Sequence, residues 1–555
     1  MRRNRCLTHS FAWAALVVFT GCGSGGPVTP PPPVPDFGVS ISPHSASAVL
    51  GNTTSAVTIS ISPQNGFSSP VTITMQGIPQ GVDAMPSSSF SIDPGTSQTI
   101  SFSLSTSAMV GTFPVTVLGT SGDLSHSAQL LLTTEPIVSV RAFQSGSVLY
   151  LESSTNTDTA RIGLETRWGG SIVEVSLNGT NFVNMQDTGR EVQAAQYDGN
   201  AQYDSCAGCT GTFGWNPVQG GDKYNQGSPV LAQTLTRDSL YVKGQGYQWN
   251  PDDKGGGPGQ PVLGDTYVEA TITAESEHAF TFKVHFKVTH LGTDQHANAL
   301  QEFPAVYANL AYSRFARYGG TRPWTNDTVS FTTMPLLPNG SPLLYAPEQW
   351  AAFVDNSDMG LAVFIPGVAP YIGGFAAAGD PGPTGFGTNY FNAFTIYSFG
   401  PNSVLEGDVY LVAGDYKHSR QVIYDLHNRL PAVDIFTPFG VVDTPPPNSQ
   451  LAGAVNLTGW TFDNVAVSKV DVYLDGKLAG TATYGGSRPD VAHDFPNAPA
   501  AIGYSFSLDT RQYTNGAHMI EVKTLDSSGN LAVFSPCFCD DSKLNVEIHS
   551  AFPGR

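Results

Sequence analysis

The sequence predicts an all-β, multidomain protein, with a large central antiparallel β-sandwich flanked by two smaller β-sandwiches. Three observations carry that expectation. The chain has 555 residues, well beyond the ~250–300 at which a single hydrophobic core stops growing. Charged residues make up 13%, about half the usual ~25%, too few to solvate long amphipathic helices. Gly 59 and Pro 40 punctuate short runs in which apolar and polar residues alternate, the pattern of strands joined by turns. The net charge is −19, and no Lys/Arg run follows the first five residues. Nucleic acid, whose binding needs clustered positive charge to displace counterions, is therefore not an expected partner.

Residues 1–21 read as an export signal. Met1-Arg2-Arg3-Asn4-Arg5 is basic, and Phe11 to Phe19 is an apolar run too short to span a bilayer. Phe19-Thr20-Gly21-Cys22 resembles the lipobox of bacterial lipoproteins, with Phe19 where Leu is usual. The resemblance implies that Cys22 becomes the lipid-bearing first residue. The alternative is a plain secretion signal in which Cys22 has no role. Residues 22–36 form a Gly/Pro-rich tether suited to hold a domain off a membrane. Gly23 stands where such families carry Asp for inner-membrane retention, which implies an outer-membrane or cell-surface placement. Four cysteines remain, Cys206 and Cys209 in C-A-G-C and Cys537 and Cys539 in C-F-C. Export favours disulfides, either within each local pair or between the two segments. A zinc site is disfavoured because C-F-C is tighter than the common ligand spacing, and a redox-active C-x-x-C is disfavoured by its Gly/Thr-rich loop.

Residues 37–135 alternate clearly: Val57, Ile59 and Ile61; Val71, Ile73 and Met75; Ile100, Phe102 and Leu104; Val115 and Val117. This segment resembles bacterial immunoglobulin-like or fibronectin-like modules and reads as a spacer. Residues 436–545 carry Gly459-Trp460-Thr461-Phe462-Asp463-Asn464, Val470-Asp471-Val472-Tyr473-Leu474-Asp475-Gly476 and Tyr504-Ser505-Phe506-Ser507-Leu508, and resemble a bacterial immunoglobulin-like module more specifically. Asp475-Gly476 between two alternating runs predicts a tight hairpin turn. The Asp and Asn side chains there are read as turn formers, with calcium binding as the alternative, and His518 as a packed or edge histidine.

The central segment, 138–432, holds most of the Trp and His. Phe280, Phe282, Val284, Phe286 and Val288 alternate with Thr281, Lys283, His285 and Lys287, and the parity continues inward to His290. Asn178-Gly179 marks a turn. Gly360 to Ile365 and Asp408 to Val412 are near-continuous apolar runs, which predicts strands covered on both faces. His418 to Leu430 is the one helix-like stretch. Gly169-Gly170-Ser171-Ile172-Val173-Glu174-Val175, Asn178-Gly179 and Asp187-Thr188-Gly189-Arg190 resemble the super-sandwich of galactose-mutarotase-like proteins, which occurs in sugar epimerases, glycoside hydrolases and polysaccharide lyases. The histidine motifs of the epimerases are not matched.

No G-x-S-x-G, H-E-x-x-H, phosphate-binding Gly loop or dinucleotide fingerprint occurs, so no nucleotide cofactor is expected. What remains is polar and aromatic clustering, which suits saccharides: aromatic faces meet C–H faces, and amides and carboxylates meet hydroxyls. Glu302 and Glu348 are the preferred acid and base, with His290 and Arg190 as further catalytic candidates. Gln193, Tyr197, Trp215, Asn216, Asp222, Trp249, Gln301, Tyr307, Gln349 and Trp350 are candidate substrate contacts. His296 reads as a loop residue and His285 as solvated. Asp252 and Asp253 precede a Gly-rich loop that is a solvent loop, a lid or a calcium site. No cofactor is expected, calcium being the one metal in view. The expected function is processing of a polysaccharide or surface glycan, by hydrolase or lyase chemistry, by an exported chain held to the membrane only through its lipid. A non-catalytic glycan-binding or adhesion protein is the alternative. The oligomeric state stays open.

Overall fold

The computed structural model describes residues 34–198, 215–296, 299–320, 322–333, 343–367, 370–376, 388–393, 395–430, 434, 437–463, 465–494, 499–534 and 544–549. The signal segment, most of the tether, Cys22, Cys206, Cys209, Cys537, Cys539 and the side chain of Asp253 lie outside the described residues. Among the described residues no helix is long and apolar enough to cross a membrane.

The protein is all-β and multidomain. The first sandwich pairs a 4-stranded sheet with a 5-stranded one, spanning Asp36–Ser42 to Leu124–Glu135. Its strands bury every second residue, as Val57–Gln64 shows with Val57, Ile59 and Ile61 inside. That alternation lets one face pack while the other stays wet. The last sandwich runs from Phe439–Thr444 to Leu544–Ile548 in a 4-stranded and a 6-stranded sheet. Asp475 (φ 49°) and Gly476 (φ 73°) form its hairpin turn as expected. Both residues are left-handed, so the turn twist matches that of the flanking strands.

Between them, among the described residues, 21 strands from Ser139–Ser145 to Val404–Asp415 are hydrogen-bonded into one continuous antiparallel system. Thr281–His290 lies between Leu263–Ala274 and Val404–Asp415, and shows the expected alternation. Helix Tyr416–Arg429 follows, capped by the Asp415 carboxylate, which accepts from the Lys417 and His418 amides. Its Val422, Ile423 and Leu426 pack on Ala352, Phe364 and Val412, while Phe353, Val363 and Leu411 face the main core. The sheet is thus covered on both faces here, which is why Met359–Phe364 and the end of Val404–Asp415 read as unbroken apolar runs.

A buried charged group joins the first sandwich to the central domain. Glu135 ends the first sandwich and is 3.5 Å from His278 Nδ1, whose Nε2 lies 2.9 Å from Asp425 on the helix. Burial opposes the charge on His278, but Asp425 and Glu135 outweigh it and raise its pKa to about 9.

Candidate functional site

Strand Ala299–Asn309 is paired with Val192–Ala195 on one side and Thr388–Ala393 on the other, so three distant stretches of sequence meet at one edge of the central sandwich. Glu302 lies opposite Ala195, and Tyr307 opposite Tyr390. The Tyr390 hydroxyl donates to Glu302 Oε1 at 2.6 Å and accepts from Asn392 Nδ2 at 2.7 Å. The Tyr307 and Tyr390 rings are 4.7 Å apart. Burial pushes the Glu302 carboxyl up to about 7, partly countered by hydrogen bonds from Tyr390 and Tyr197. Burial, followed by the Glu302 charge, raises the Tyr390 and Tyr307 phenols well above their usual range, so both stay protonated donors at neutral pH. Tyr197 and Tyr307 are the partly exposed members of the cluster.

Gln301 holds Tyr197 in place. Its Oε1 accepts from the Tyr197 amide at 2.8 Å, and its Nε2 donates to the carbonyls of Tyr197 and Tyr397. Arg190 is buried, pairs with Asp187 at 3.5 Å, and lies near enough to Tyr307 for its charge to favour the phenolate there. The ring of Trp249 covers Gly189, where a Cβ would come within 2.5 Å of it.

A second group adjoins the first through consecutive residues: Tyr197 reaches Glu302, and Asp198 reaches His296. His290 ends its strand facing inward, fully buried as its parity predicts. Its Nδ1 contacts the Gly400 carbonyl at 2.8 Å, and its Nε2 contacts Asp265 Oδ2 at 3.2 Å. His296 lies in the loop after that strand, as expected, and is buried there, with its ring stacked 3.7 Å from that of Trp215. Trp215 Nε1 donates to Asp265 at 2.6 Å, so this tryptophan is a wall of the histidine group. Among the described residues, two sets of side chains have the donors to hold a metal: Asp265, His290, Asp294 and His296 here, and Asp434, Asp463 and Asp526 in the last sandwich. Burial pushes Asp463 up to about 7.

The other sequence candidates have structural partners. Glu348, expected to pair with Glu302, is fully buried and takes a two-pronged contact from Arg420 at 2.9 and 2.7 Å. It also accepts from Trp350 Nε1, the Trp324 amide and the Tyr424 hydroxyl. No lone pair is left for a substrate proton, so Glu348 is an anchor for the helix. Trp350 is core, and Gln349 caps the Gly367 amide. Gln193 accepts from the Gly220 amide, Asn216 donates to the Gln196 carbonyl, and Asp222 ties the amides of Tyr224 and Gln226. Asp252 accepts from Lys223 and Tyr224, which places its carboxylate in a surface ion pair. His285 meets Asp408 on the solvent side, and His518 packs against Asp475. Tyr390, Asn392, Asp198, Asp265 and Asp294 were not singled out from the sequence. The spacing His290-x3-Asp294-x-His296 was the available signal for part of the second group.

Residues 438–522 match the bacterial Ig domain family. No curated protein matches the chain. Among solved structures, the chain is similar to a candidate aldose 1-epimerase from Klebsiella pneumoniae, at 11% identity and TM-score 0.28, over 58% of this chain and 89% of that one. It is similar to a polysaccharide lyase at 8% identity and TM-score 0.26, over 74% and 48%. It is also similar to an endo-β-1,4-mannanase from Thermotoga petrophila at 13% identity and TM-score 0.15, over 24% and 23%. The chain thus spans less than a quarter of the mannanase and about half of the lyase.

Proposed function

We propose that the central domain processes a carbohydrate by proton transfer at Glu302, and that the chain does so outside the cytoplasm, tethered through Cys22. The observation that carries the reading is the Glu302 cluster: a buried carboxyl, raised to about 7, bonded to Tyr390 and flanked by the half-buried rings of Tyr197 and Tyr307. A group that ionises near neutral pH can both give and take a proton at useful rates. The partly exposed rings of Tyr197 and Tyr307 offer apolar faces to a sugar. The flanking sandwiches act as spacers. Export is supported by the basic start, the short apolar run and the lipobox-like Phe19 to Cys22.

Hydrolysis and elimination both fit this reading, and their products separate them. The test is to incubate the full chain and its Glu302→Gln variant with a panel of plant, algal and bacterial polysaccharides. New reducing ends released by the parent and not by the variant support the proposal, and ultraviolet absorbance of unsaturated ends marks elimination. Retained binding to one glycan without release moves the reading to a surface binder.

A further inference from the structure

The histidine group beside the Glu302 cluster brings four donor side chains towards one point. His290 Nε2 is 3.2 Å from Asp265 Oδ2 and 3.7 Å from Asp294 Oδ1, and His296 Nε2 is 3.6 Å from Asp294 Oδ2. One donor atom from each of the four residues lies within 4.8 Å of every other. We propose that Asp265, His290, Asp294 and His296 bind one divalent transition-metal ion of the zinc class. This inference stands independently of the carbohydrate reading.

Three further observations point to an ion. First, His296 Nε2 is buried and has no hydrogen-bond partner among the described residues, although it faces Asp294. An orphaned polar atom in a buried ring is costly unless something occupies its lone pair. Second, each histidine spends its other nitrogen on an acceptor: Nδ1 of His290 on the Gly400 carbonyl at 2.8 Å, and Nδ1 of His296 on Asp198 at 2.7 Å. With the proton on Nδ1, each Nε2 lone pair faces carboxylate oxygens, a repulsion that a metal ion between them, or a second proton on the ring, removes. Carbonyl–histidine and carboxylate–histidine pairs are the usual outer supports of metal-binding imidazoles. Third, Gly292 leaves the central space free. A Cβ there would stand 2.4 Å from His290 Nε2, 2.5 Å from Asp294 Oδ1 and 2.9 Å from Asp265 Oδ2. A methyl group at Gly292 would therefore crowd these three donor atoms and spoil the site.

The donor set selects the ion. Bonds of about 2.0–2.2 Å in a tetrahedral site put neighbouring ligand atoms roughly 3.4 Å apart, close to the three spacings above. Two imidazole nitrogens disfavour calcium and magnesium, which prefer oxygen throughout. Two carboxylates balance the ion's charge. Asp294 is 64% exposed and Asp265 35% exposed at the side chain, so the ion has a route in from solvent.

The full chain, stripped with chelator, desalted and then incubated with excess zinc, should retain one equivalent of zinc after gel filtration, measured by elemental analysis, and should melt at a higher temperature with zinc than without. Asp294→Asn changes an exposed side chain, so its chelator-treated melting point should equal the parent's while its zinc affinity falls at least tenfold. Gly292→Ala should lose the bound ion, and Asp198→Asn, which keeps all four ligands, should weaken binding ~10–100-fold. Cobalt in place of zinc should give the visible absorption of a tetrahedral N/O site in the parent alone. No retained zinc in the parent overturns the proposal. Equal zinc retention in Asp294→Asn and Gly292→Ala also overturns it, since the ion would then lie elsewhere. Preference for calcium over zinc overturns the assigned ion class.

Discussion

Glu302→Gln should change stability in a pH-dependent way, because glutamine mimics the protonated acid and cannot ionise. The Glu302 carboxyl sits at about 7 in the folded protein, against 4.5 ordinarily. Its burial is the main cause, and burial is lost on unfolding. A raised acid binds its proton more tightly when folded, so its stabilising effect is complete below 4.5 and is lost as pH rises towards 7. At ~1.4 kcal/mol per tenfold change in proton affinity, ionising Glu302 costs about 3 kcal/mol in the folded state at pH 8. At pH 4 to 5 the variant and parent should be close in stability. By pH 8 the variant should be more stable by about 3 kcal/mol. The assay is urea unfolding of the full chain, followed by tryptophan fluorescence at intervals from pH 4.5 to 8. Trp168, Trp215, Trp249, Trp324 and Trp350 report mainly on the central domain, and other titrating groups cancel between parent and variant. A gap of constant size across the range would refute the argument that burial holds Glu302 protonated.

Arg420→Met should destabilise the central domain by ~3–5 kcal/mol, since it leaves Glu348 buried without its cation; chemical denaturation measures it, and adding Glu348→Gln should recover much of the loss. His278 is raised to about 9 against 6.5 ordinarily, so its contribution is complete below 6.5 and is lost as pH rises through 9. The parent's melting temperature should therefore fall between pH 6.5 and 9.5 more steeply than that of His278→Ala, and parallel curves would count against the buried junction with Glu135 and Asp425.

Much of the fold was legible because strand periodicity is local. Val57, Ile59 and Ile61, or Phe282 to Val288, declare a buried face in consecutive residues, and Asp475-Gly476 declares its turn chemistry. Even the buried orientation of His290 followed from parity. The site was less legible because its partners are far apart in sequence. Glu302 needed Tyr390 from another strand, 88 residues on. Glu348 looked free because Arg420, which neutralises it, lies 72 residues later on the helix. His296 is the loop residue it looked like, but its burial was not legible because nothing nearby in sequence announces that Trp215 will stack on it. Trp350, read as a contact for sugar, is buried by the helix that covers the outer face of the sheet.

The measurement that tests the central claim most directly is the pH dependence of polysaccharide cleavage by the full chain, run beside Glu302→Gln on the substrate that responds best in the panel. The account predicts product release by the parent governed by a group ionising near pH 7, and no release by the variant at any pH. Cleavage that survives in Glu302→Gln, or no cleavage by the parent of any polysaccharide, would contradict it.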